Sequence, residues 1–292
     1  MNKNLVIVRA GKNSLHKVWL EMPYTQRNWD IIVSYYDESA YEEGPCGEGV
    51  KKHYCKGGKF DGLFATCEAH PQYREYEYVW LPDDDISCAG QQVNAIFSAM
   101  REYGLVLGQP SLTFDSYFTD MGVVHAPGFD LRYTNFVEIM VPCLSTELLS
   151  YVMPLFKNSM SGFGIDRVWA RLIDNPKRKV GVIDKVQVHH TRPVGVFLQG
   201  KLKEMGVLPW EEEQEIFDLL NIKKIQKPVF HAGIRQNGKL VRGKVLMGFM
   251  IFGNRHLVVP KMVQDGKLYR RFRRILKWHL FYPSNFTRLF LP

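Results

Sequence analysis

The stretch Glu75–Gly90, EYEYVWLPDDDISCAG, decides the fold prediction. Its apolar and aromatic half, Tyr78–Leu81, has the composition of a buried strand. Three consecutive acids, Asp83–Asp85, follow this run, and an amphipathic segment begins near Ser87. The stretch therefore predicts a strand, an acidic turn and a helix, with the acids at the carboxyl edge of a sheet, where open α/β folds bind ligands.

The same alternation of strand and helix extends to both sides of this stretch. Short apolar runs predict strands at Leu5–Arg9, Asp30–Tyr36 and Glu77–Leu81. Ser87–Tyr103 has apolar residues at helical spacing, and Leu105–Leu107 begins the next strand. Because a helix between two strands is typical of parallel neighbours, we predict an α/β, Rossmann-like fold with a mainly parallel twisted sheet flanked by helices.

The remainder of the chain is less regular. Further elements are predicted at Tyr133–Pro142 (strand), Ile165–Ile173 (helix), Val180–His190 (one strand or a strand pair), Trp210–Leu220 (acidic helix) and Asn237-Gly238 (hairpin turn). Between Glu38 and Asp61, a polar, Gly-rich segment without periodicity predicts a long loop. We predict one domain over residues 1–197 and a C-terminal extension over residues 198–292.

Composition limits the class of protein. With 292 residues and 46% hydrophobic residues, the chain is long enough to bury a proper core. Its five cysteines have no regular spacing, which favours a reducing compartment over a disulfide framework. No apolar run approaches the ~20 residues of a membrane-spanning helix. We therefore expect a cytoplasmic protein that is either soluble or peripheral at the inner face of a membrane.

The aspartate triplet predicts a metal site. Alternate positions such as Asp83 and Asp85 can face one side, and oxygen ligands suit Mg²⁺ or Mn²⁺. A neutral imidazole from His190, at the end of a predicted strand, is expected to complete the site. The alternative is an acidic turn that caps the helix near Ser87, but one acid is enough for a cap. A zinc site made of Cys46, His53, Cys55, Cys67 and His70 matches no compact zinc-finger spacing.

Other polar residues also follow predicted strands and suggest a nucleotide site. Arg9, Lys12 and Ser14 come after the first strand, near a helix start that suits an anion. Asp37 follows the second strand and can accept from a ribose hydroxyl or a base N–H. Arg192 is expected to bind phosphate, and Asp83 and Asp84 are also assigned to the donor site. Taken singly, Arg9, Lys12, Ser14 and Asp37 are each more typical of a surface loop, whereas together they favour a nucleotide site.

A general base is predicted at the start of a helix. The sequence SGFGIDRVW, residues 161–169, places Asp166 in the first helical turn after two glycines. The glycines would let the backbone approach a substrate, and Asp166 would act as a base in the cleft. The alternative is that Asp166 only compensates the helix dipole. Glu138, on the predicted strand at 133–142, is the second candidate base.

Six ordered motifs carry a family resemblance: VRAGKNSLHKVWL, RNWDIIVSYYD, YEYVWLPDDDI, LRYTNFVEIMVP, SGFGIDRVW and VHHTRPVG. Over residues 4–197 they resemble an uncharacterised family of plants and bacteria that is labelled lysine-ketoglutarate reductase trans-splicing-related. The chain lacks a dinucleotide-binding fingerprint, which argues against a reductase.

The order of the motifs is also similar to that of GT-A glycosyltransferases. This resemblance implies a nucleotide-sugar donor, a UDP-sugar being favoured, and a divalent metal at a DxD motif formed by Asp83 and Asp85. It further implies that Asp85 and His190 are metal ligands and that Asp166 is the base of an inverting reaction. Arg9 and Asp37 lie where such folds contact the nucleotide.

The charge of the chain is concentrated at its end. Of the net charge of +8, residues 235–292 contribute 13 Lys and Arg and one acid, whereas the other 234 residues contain 25 basic and 29 acidic residues. The segment 267–290 has apolar residues at helical spacing (Leu268, Phe272, Ile275, Leu276, His279) and basic residues on the other faces (Arg270, Arg271, Arg273, Arg274, Lys277). This pattern predicts either a helix that lies on an anionic membrane or a closing helix that packs on the domain.

Together these features favour a metal-dependent glycosyltransferase that acts on a glycan or lipid-linked acceptor. The alternatives are a non-catalytic membrane- or RNA-binding adaptor on a degenerate sugar-nucleotide fold, and a nucleotidyl or phosphoryl transferase. Nucleic acid is the less favoured partner, because no RNA-binding motif accompanies the basic tail.

Overall fold

The computed structural model describes residues 2–157, 159–194, 206–259, 268–284 and 286–292. The strands are β1 (Asn4–Ala10), β2 (Trp29–Tyr35), β3 (Val50–Tyr54), β4 (Tyr78–Trp80), β5 (Ile86–Ser87), β6 (Leu107–Leu112), β7 (Phe129–Thr134), β8 (Cys143–Ser145), β9 (Val180–His190), β10 (Phe230–Arg235) and β11 (Leu240–Arg242). The helices are α1 (His16–Trp19), α2 (Glu38–Glu43), α3 (Phe60–Ala69), α4 (Gly90–Glu102), α5 (Thr146–Phe156), α6 (Ile165–Val168), α7 (Pro209–Leu219), α8 (Lys244–Gly253) and α9 (Leu268–Phe281).

One large sheet organises the molecule. Its strand order is β11-β10-β7-β9-β6-β8-β4-β1-β2-β3, and β5 pairs with the end of β9. The predicted α/β fold is confirmed, with parallel pairing along β4-β1-β2-β3 and between β6 and β9. The other pairs, β10–β11, β7–β10, β7–β9, β6–β8, β4–β8 and β5–β9, are antiparallel, so the sheet is mixed.

The sheet separates two hydrophobic cores. In β1, Val6 and Val8 face one core, whereas Leu5 and Ile7 face the other, as the twofold side-chain period of a strand requires. Helix α4 covers the first core, and α3 and α5 cover the second. Strands β1 and β2 are buried along their whole length, which explains their uninterrupted apolar runs.

Three predicted elements differ from the structure. The predicted loop 38–61 contains α2, β3 and the start of α3; β3 is a half-exposed edge strand that carries no apolar pattern. The predicted strand 133–142 ends at Thr134, and residues 135–142 are irregular. The predicted helix 165–173 is a single α-turn, α6, followed by a 3₁₀ turn at Trp169–Arg171.

The C-terminal extension shares the cores of the main domain. Strands β10 and β11 extend the central sheet, α7 packs into the second core, and α8 and α9 pack into the first. The predicted boundary at residue 197 lies outside the described residues.

The apolar stripe of the basic tail helix faces the protein. In α9, Phe272, Ile275 and His279 are buried, and the N–H of Phe230 donates to His279 Nε2 at 2.9 Å. This stripe therefore packs on the domain, as the closing-helix interpretation expects. Residues 260–267 and the Leu268 side chain lie outside the described part. Among the described helices, none has the length and apolar character needed to cross a bilayer.

Candidate functional site

The acidic turn between β4 and β5 carries Asp83, Asp84 and Asp85, and each of the three carboxylates contacts different residues. Backbone bonds fix the turn to its surroundings: the N–H of Asp83 donates to Met140 O at 2.8 Å, and the N–H of Leu15 donates to Asp84 O at 2.7 Å. The turn is therefore held between the loop after β1 and the segment 135–142, at the carboxyl edge of the parallel strands.

Asp83, Asp85 and His190 form a group with the geometry of a metal site. One ligand atom from each residue lies within 4.8 Å of the others. The pairing of β5 with β9 sets Ile86 opposite His190, and Asp85 Oδ2 lies 3.3 Å from His190 Nε2. Asp85 Oδ1 is buried and has no hydrogen-bond partner among the residues that the structure describes. Two carboxylates, one of them with an orphaned oxygen, and an imidazole fit a small divalent cation of the Mg²⁺ or Mn²⁺ class.

A backbone carbonyl sets the tautomer of His190. Its Nδ1 lies 2.9 Å from Tyr117 O, and because a carbonyl only accepts, Nδ1 carries the hydrogen. In the neutral ring, Nε2 therefore carries the lone pair, which is available to a metal beside Asp85. Burial opposes protonation of His190, but the hydrogen bond to Asp85 and the negative charges of Asp85 and Asp83 outweigh it and raise the pKa of the ring.

Lys59 also belongs to the site, although no sequence pattern identifies it. Its Nζ lies 2.5 Å from Asp83 Oδ1 and 2.6 Å from Ile139 O, so the ammonium group bridges the acidic turn and the segment 135–142. Lys59 stands directly before α3, inside the segment predicted to be a loop. No local pattern signals such a contact, because its partners are 24 and 80 residues away along the chain.

Asp84 ties together the ends of β1, β2 and β9. Its Oδ2 accepts from the N–H of Gly11 at 3.2 Å and from the Tyr36 hydroxyl at 3.1 Å, and its Oδ1 pairs with Arg192 Nη1 at 3.1 Å. A Cβ at position 11 would lie 2.5 Å from the Tyr36 hydroxyl, so glycine allows this close approach. Arg192 also donates to Asn13 O. These residues therefore hold three strand ends together beside the metal-site group.

Four other predicted donor-site residues have different surroundings. Arg9 is buried, and its guanidinium donates to Ser34 and to the carbonyls of residues 55, 57 and 58. The Ser14 hydroxyl lies 2.7 Å from His16 Nδ1, and Asp37 caps α2 by accepting from the N–H of Ala40. Lys12 is exposed in the turn after β1. Arg9 therefore holds the β3–α3 loop, and contacts of all four residues with a nucleotide stay predictions.

Glu138 lies in a buried group of acids. It is 2% exposed, accepts from the Thr119 hydroxyl through Oε1, and has no partner for the buried Oε2. Burial and the negative charges of Asp120, Asp166 and Asp83 raise the pKa of Glu138 well above its usual range. The negative charges of both Asp166 and Asp83 therefore act on the Glu138 carboxyl.

Asp166 stands at the start of α6. Burial raises its pKa to about 6; Arg167 opposes this shift, and Glu213 and Asp120 reinforce it. Arg167 Nε lies 3.7 Å from Asp166 Oδ1. The preceding glycines have a conformational role: Gly162 and Gly164 have φ of +77° and +90°, which disfavours other residues whatever the substrate.

The alternative zinc set does not assemble. In the part of the chain that the structure describes, Asp83, Asp85 and His190 are the only His, Cys or acidic group with metal-ligand proximity. The His53 ring instead lies 3.0 Å from the Thr66 hydroxyl, and Cys55 Sγ lies 3.0 Å from Arg9 Nη1.

No protein-family model matches the chain, and no curated protein matches it. Among solved structures, the chain is similar to GalNAc-T7 with UDP, GalNAc and Mn²⁺, with a TM-score of 0.54 and 9% identity over 96% of this chain and 56% of that chain. It is also similar to S. aureus TarS 1–349 in complex with UDP-GlcNAc, with a TM-score of 0.47 and 10% identity over 99% of this chain and 96% of that chain. The chain spans just over half the length of the GalNAc-T7 chain. The fold is that of GT-A glycosyltransferases, as the order of motifs implied.

Proposed function

We propose that the protein is a metal-dependent glycosyltransferase that moves a sugar from a UDP-sugar to a hydroxyl of a glycan or lipid-linked acceptor. The observation that carries this proposal is the orphaned, buried Asp85 Oδ1 beside His190 and Asp83, at the ligand-binding edge of a GT-A sheet. A GT-A fold alone does not give an activity, and a carboxylate oxygen kept without a partner is the chemical feature that requires a ligand.

The three acids of the acidic turn would have different roles in binding the donor. Asp85, His190 and the Asp83 carboxylate would hold Mn²⁺ or Mg²⁺, which when bound would neutralise charge on the donor diphosphate. Lys59 orients one oxygen of Asp83 by a direct ion pair and opposes the rise in the Asp83 pKa that burial causes. Asp84 accepts from the N–H of Gly11 and pairs with Arg192, and it thereby holds Arg192 and the turn after β1 in place. Lys12, Tyr36 and Arg192 would then line the side of the site that is proposed for the nucleotide.

Asp166 is the proposed base of an inverting reaction. With a pKa of about 6 it is mostly ionised at neutral pH and can take the proton of the acceptor hydroxyl. The acceptor oxygen then bonds to the anomeric carbon while the bond from that carbon to the diphosphate oxygen breaks. Burial and the neighbouring acids raise the pKa of Glu138, the second candidate, well above its usual range, which favours its protonated form and makes it the weaker choice for a base. We also propose that the enzyme works at the cytoplasmic face of a membrane through residues 267–290.

Replacement of Asp85 tests the proposal. We expect Asp85→Ala to lower transfer or donor hydrolysis by about 10⁴-fold, because a ligand to the charge-neutralising cation is lost. Thermal shift with UDP and Mn²⁺ should show several degrees of protection for the wild type and none for the variant. Asp218→Ala, which removes an exposed acid of α7, is the matched control. Full turnover by Asp85→Ala, or no protection of the wild type by any nucleotide sugar with Mn²⁺, would overturn the assignment and favour an adaptor.

A further inference from the structure

Helices α8 and α9 pack side by side in opposite directions. Lys244 Nζ, at the start of α8, lies 2.7 Å from Tyr282 O, just beyond the end of α9. At the other end of α8, the Phe252 ring lies 6.4 Å from the rings of both Tyr269 and Phe272. The inward sides of the two helices are buried, and their outward sides form one continuous surface, which we call the α8–α9 surface.

The α8 part of this surface is apolar and exposed. Val245, Leu246 and Phe249 are 40%, 48% and 52% exposed, a concentration of large apolar side chains that a helix facing only water seldom shows. Val245, Phe249 and Phe252 are spaced by four and three residues and therefore share one stripe. Because Phe252 contacts Tyr269, which is 61% exposed, this stripe borders α9. The apolar side chains are thus contiguous across both helices.

The α9 part of the surface is basic. Arg270, Arg273, Arg274 and Lys277 are exposed, and the Arg273 guanidinium lies 5.8 Å from the centre of the Tyr269 ring. Between Arg235 and Pro292 the sequence contains 13 Lys and Arg and only one acid, so the charge is of one sign. A stripe of apolar side chains bordered by cations matches the boundary between acyl chains and phosphates in a bilayer.

The same helix also lies next to the proposed catalytic acids. Arg271 Nη1 lies 3.3 Å from Phe118 O and 3.1 Å from Thr119 O. The Thr119 hydroxyl in turn donates to Glu138. One side of α9 therefore contacts the loop that supports the acid group, while its outward side carries the cations.

We propose that the α8–α9 surface docks on an anionic lipid bilayer, with Val245, Leu246, Phe249 and Tyr269 inserted among the acyl chains and the α9 cations on lipid phosphates. The inserted side chains belong to the exposed side of α8 and to Tyr269 on the adjacent side of α9. The buried apolar stripe of α9 stays packed on the domain. Resting on the proposed glycosyltransferase function, this docking makes the acceptor a membrane-held hydroxyl, because α9 contacts the loop that supports the acid group. An anionic bilayer is the occupant that this pairing of cations and apolar side chains favours over an acidic protein, because neither α8 nor α9 contains an acid and the α9 cations border the apolar stripe.

Vesicle co-sedimentation of the full chain tests the docking without nucleotide or acceptor. We expect the wild type to bind vesicles of phosphatidylcholine and phosphatidylserine in equal parts, and to bind vesicles of phosphatidylcholine alone far more weakly. Arg270→Gln with Arg273→Gln should lower the partition coefficient by about 30-fold, from the loss of two charges near an anionic surface. Leu246→Ser with Phe249→Ser should lower it by at least about tenfold, because less apolar area is inserted.

Matched controls separate docking from general adhesion. Lys223→Gln with Lys224→Gln removes two exposed cations near α7, and Trp210→Ser removes an aromatic side chain that is 62% exposed on α7; both should bind vesicles like the wild type. All variants change exposed side chains and should keep the wild-type circular dichroism. The proposal is overturned if the wild type ignores anionic vesicles, if the controls lose as much binding as the α8–α9 variants, or if single-stranded RNA is bound with the same variant dependence while vesicles are not.

A separate readout keeps this inference distinct from the catalytic one. The α8–α9 variants should retain thermal protection by UDP and Mn²⁺, whereas Asp85→Ala should lose that protection and still bind vesicles. Vesicle binding without any nucleotide response would support docking and reject the transferase. A nucleotide response without vesicle binding would do the opposite.

Discussion

Two regions of the molecule bury carboxylates, and they treat them in opposite ways. In the core, Asp184 accepts from Arg132 Nε at 2.6 Å, from Arg132 Nη2 at 2.9 Å and from the N–H of Ala126 at 2.8 Å. Both charged side chains are fully buried, and Arg132 also donates to the carbonyls of Gly122 and Val124. Both carboxylate oxygens of Asp184 accept hydrogen bonds, and the ion pair connects β7, β9 and the loop between β6 and β7.

At the candidate site, the carboxylates of Asp85 and Glu138 are buried to a similar extent but lack a full set of hydrogen-bond partners among the described residues. Asp85 Oδ1 and Glu138 Oε2 are buried without a hydrogen-bond partner, and several acids raise one another's pKa. Leaving a buried polar atom unpaired costs about 1–3 kcal/mol, and a ligand or a proton that satisfies the atom would remove this cost. The number of unpaired carboxylate oxygens therefore distinguishes Asp184, which stabilises the fold, from Asp85 and Glu138, which are proposed to bind ligands or protons.

The comparison is tested most strongly by stability. Asp184→Ala leaves the Arg132 guanidinium buried without a counter-ion and should lower the free energy of unfolding by about 3–5 kcal/mol. Asp85→Ala, measured without metal, should change it by less than about 1 kcal/mol, because the removed carboxylate was only partly paired. Urea unfolding followed by circular dichroism measures both variants. If Asp85→Ala is as destabilising as Asp184→Ala, the acidic turn is structural and the contrast between the two regions fails.

The pH dependence of the reaction tests the acids of the cleft. A base with a pKa of about 6 loses its reactive, ionised form as the pH falls through that value. We therefore expect kcat/KM to fall about tenfold per pH unit below about 6 and to level off above it, as for a single ionisation. Asp166→Asn should lower the plateau by about 10²–10⁴-fold and abolish this acid limb.

The variant also decides between the two candidate bases. An acid limb that persists in Asp166→Asn at an unchanged pH would assign the proton transfer to another group, with Glu138 the first to examine. Asp218→Asn, an exposed acid of α7, is the control and should keep the wild-type profile.

The sequence predicts those parts of the site that depend on local order. The buried runs of β1, β2 and β9 are largely apolar, so the sequence alone locates their ends, together with the acids and His190 placed there. The half-exposed strand β3 and helix α2 have no such pattern, and the sequence predicts a loop in their place. Lys59 escapes sequence reasoning for the same reason, since its contact with Asp83 depends on where α3 packs.

A second side chain that sequence reasoning misses is Glu212 of α7, a buried carboxylate that resembles Asp184 more than Asp85. It accepts from the N–H groups of Met160 at 2.8 Å and Ser161 at 2.9 Å, and from the hydroxyls of both Ser159 and Ser161. The same turn accepts backbone bonds from Lys59 and Asp61 at the start of α3. Glu212 thereby joins the C-terminal extension to the helix start that bears Lys59.

Because Glu212 is fully paired, we expect its neutral analogue to affect stability, and by less than loss of Asp184. Glu212→Gln replaces one acceptor oxygen by a donor NH₂ that faces N–H and O–H groups, so the free energy of unfolding should fall by about 1–3 kcal/mol. Hydrogen exchange of the amides of Met160 and Ser161 should become faster in the variant, which localises the effect to the turn. Glu215→Gln, at an exposed position of the same helix, should change neither quantity. Unchanged exchange at Met160 and Ser161 in Glu212→Gln would mean that α7 does not hold this turn, and that the extension and the cleft are independent.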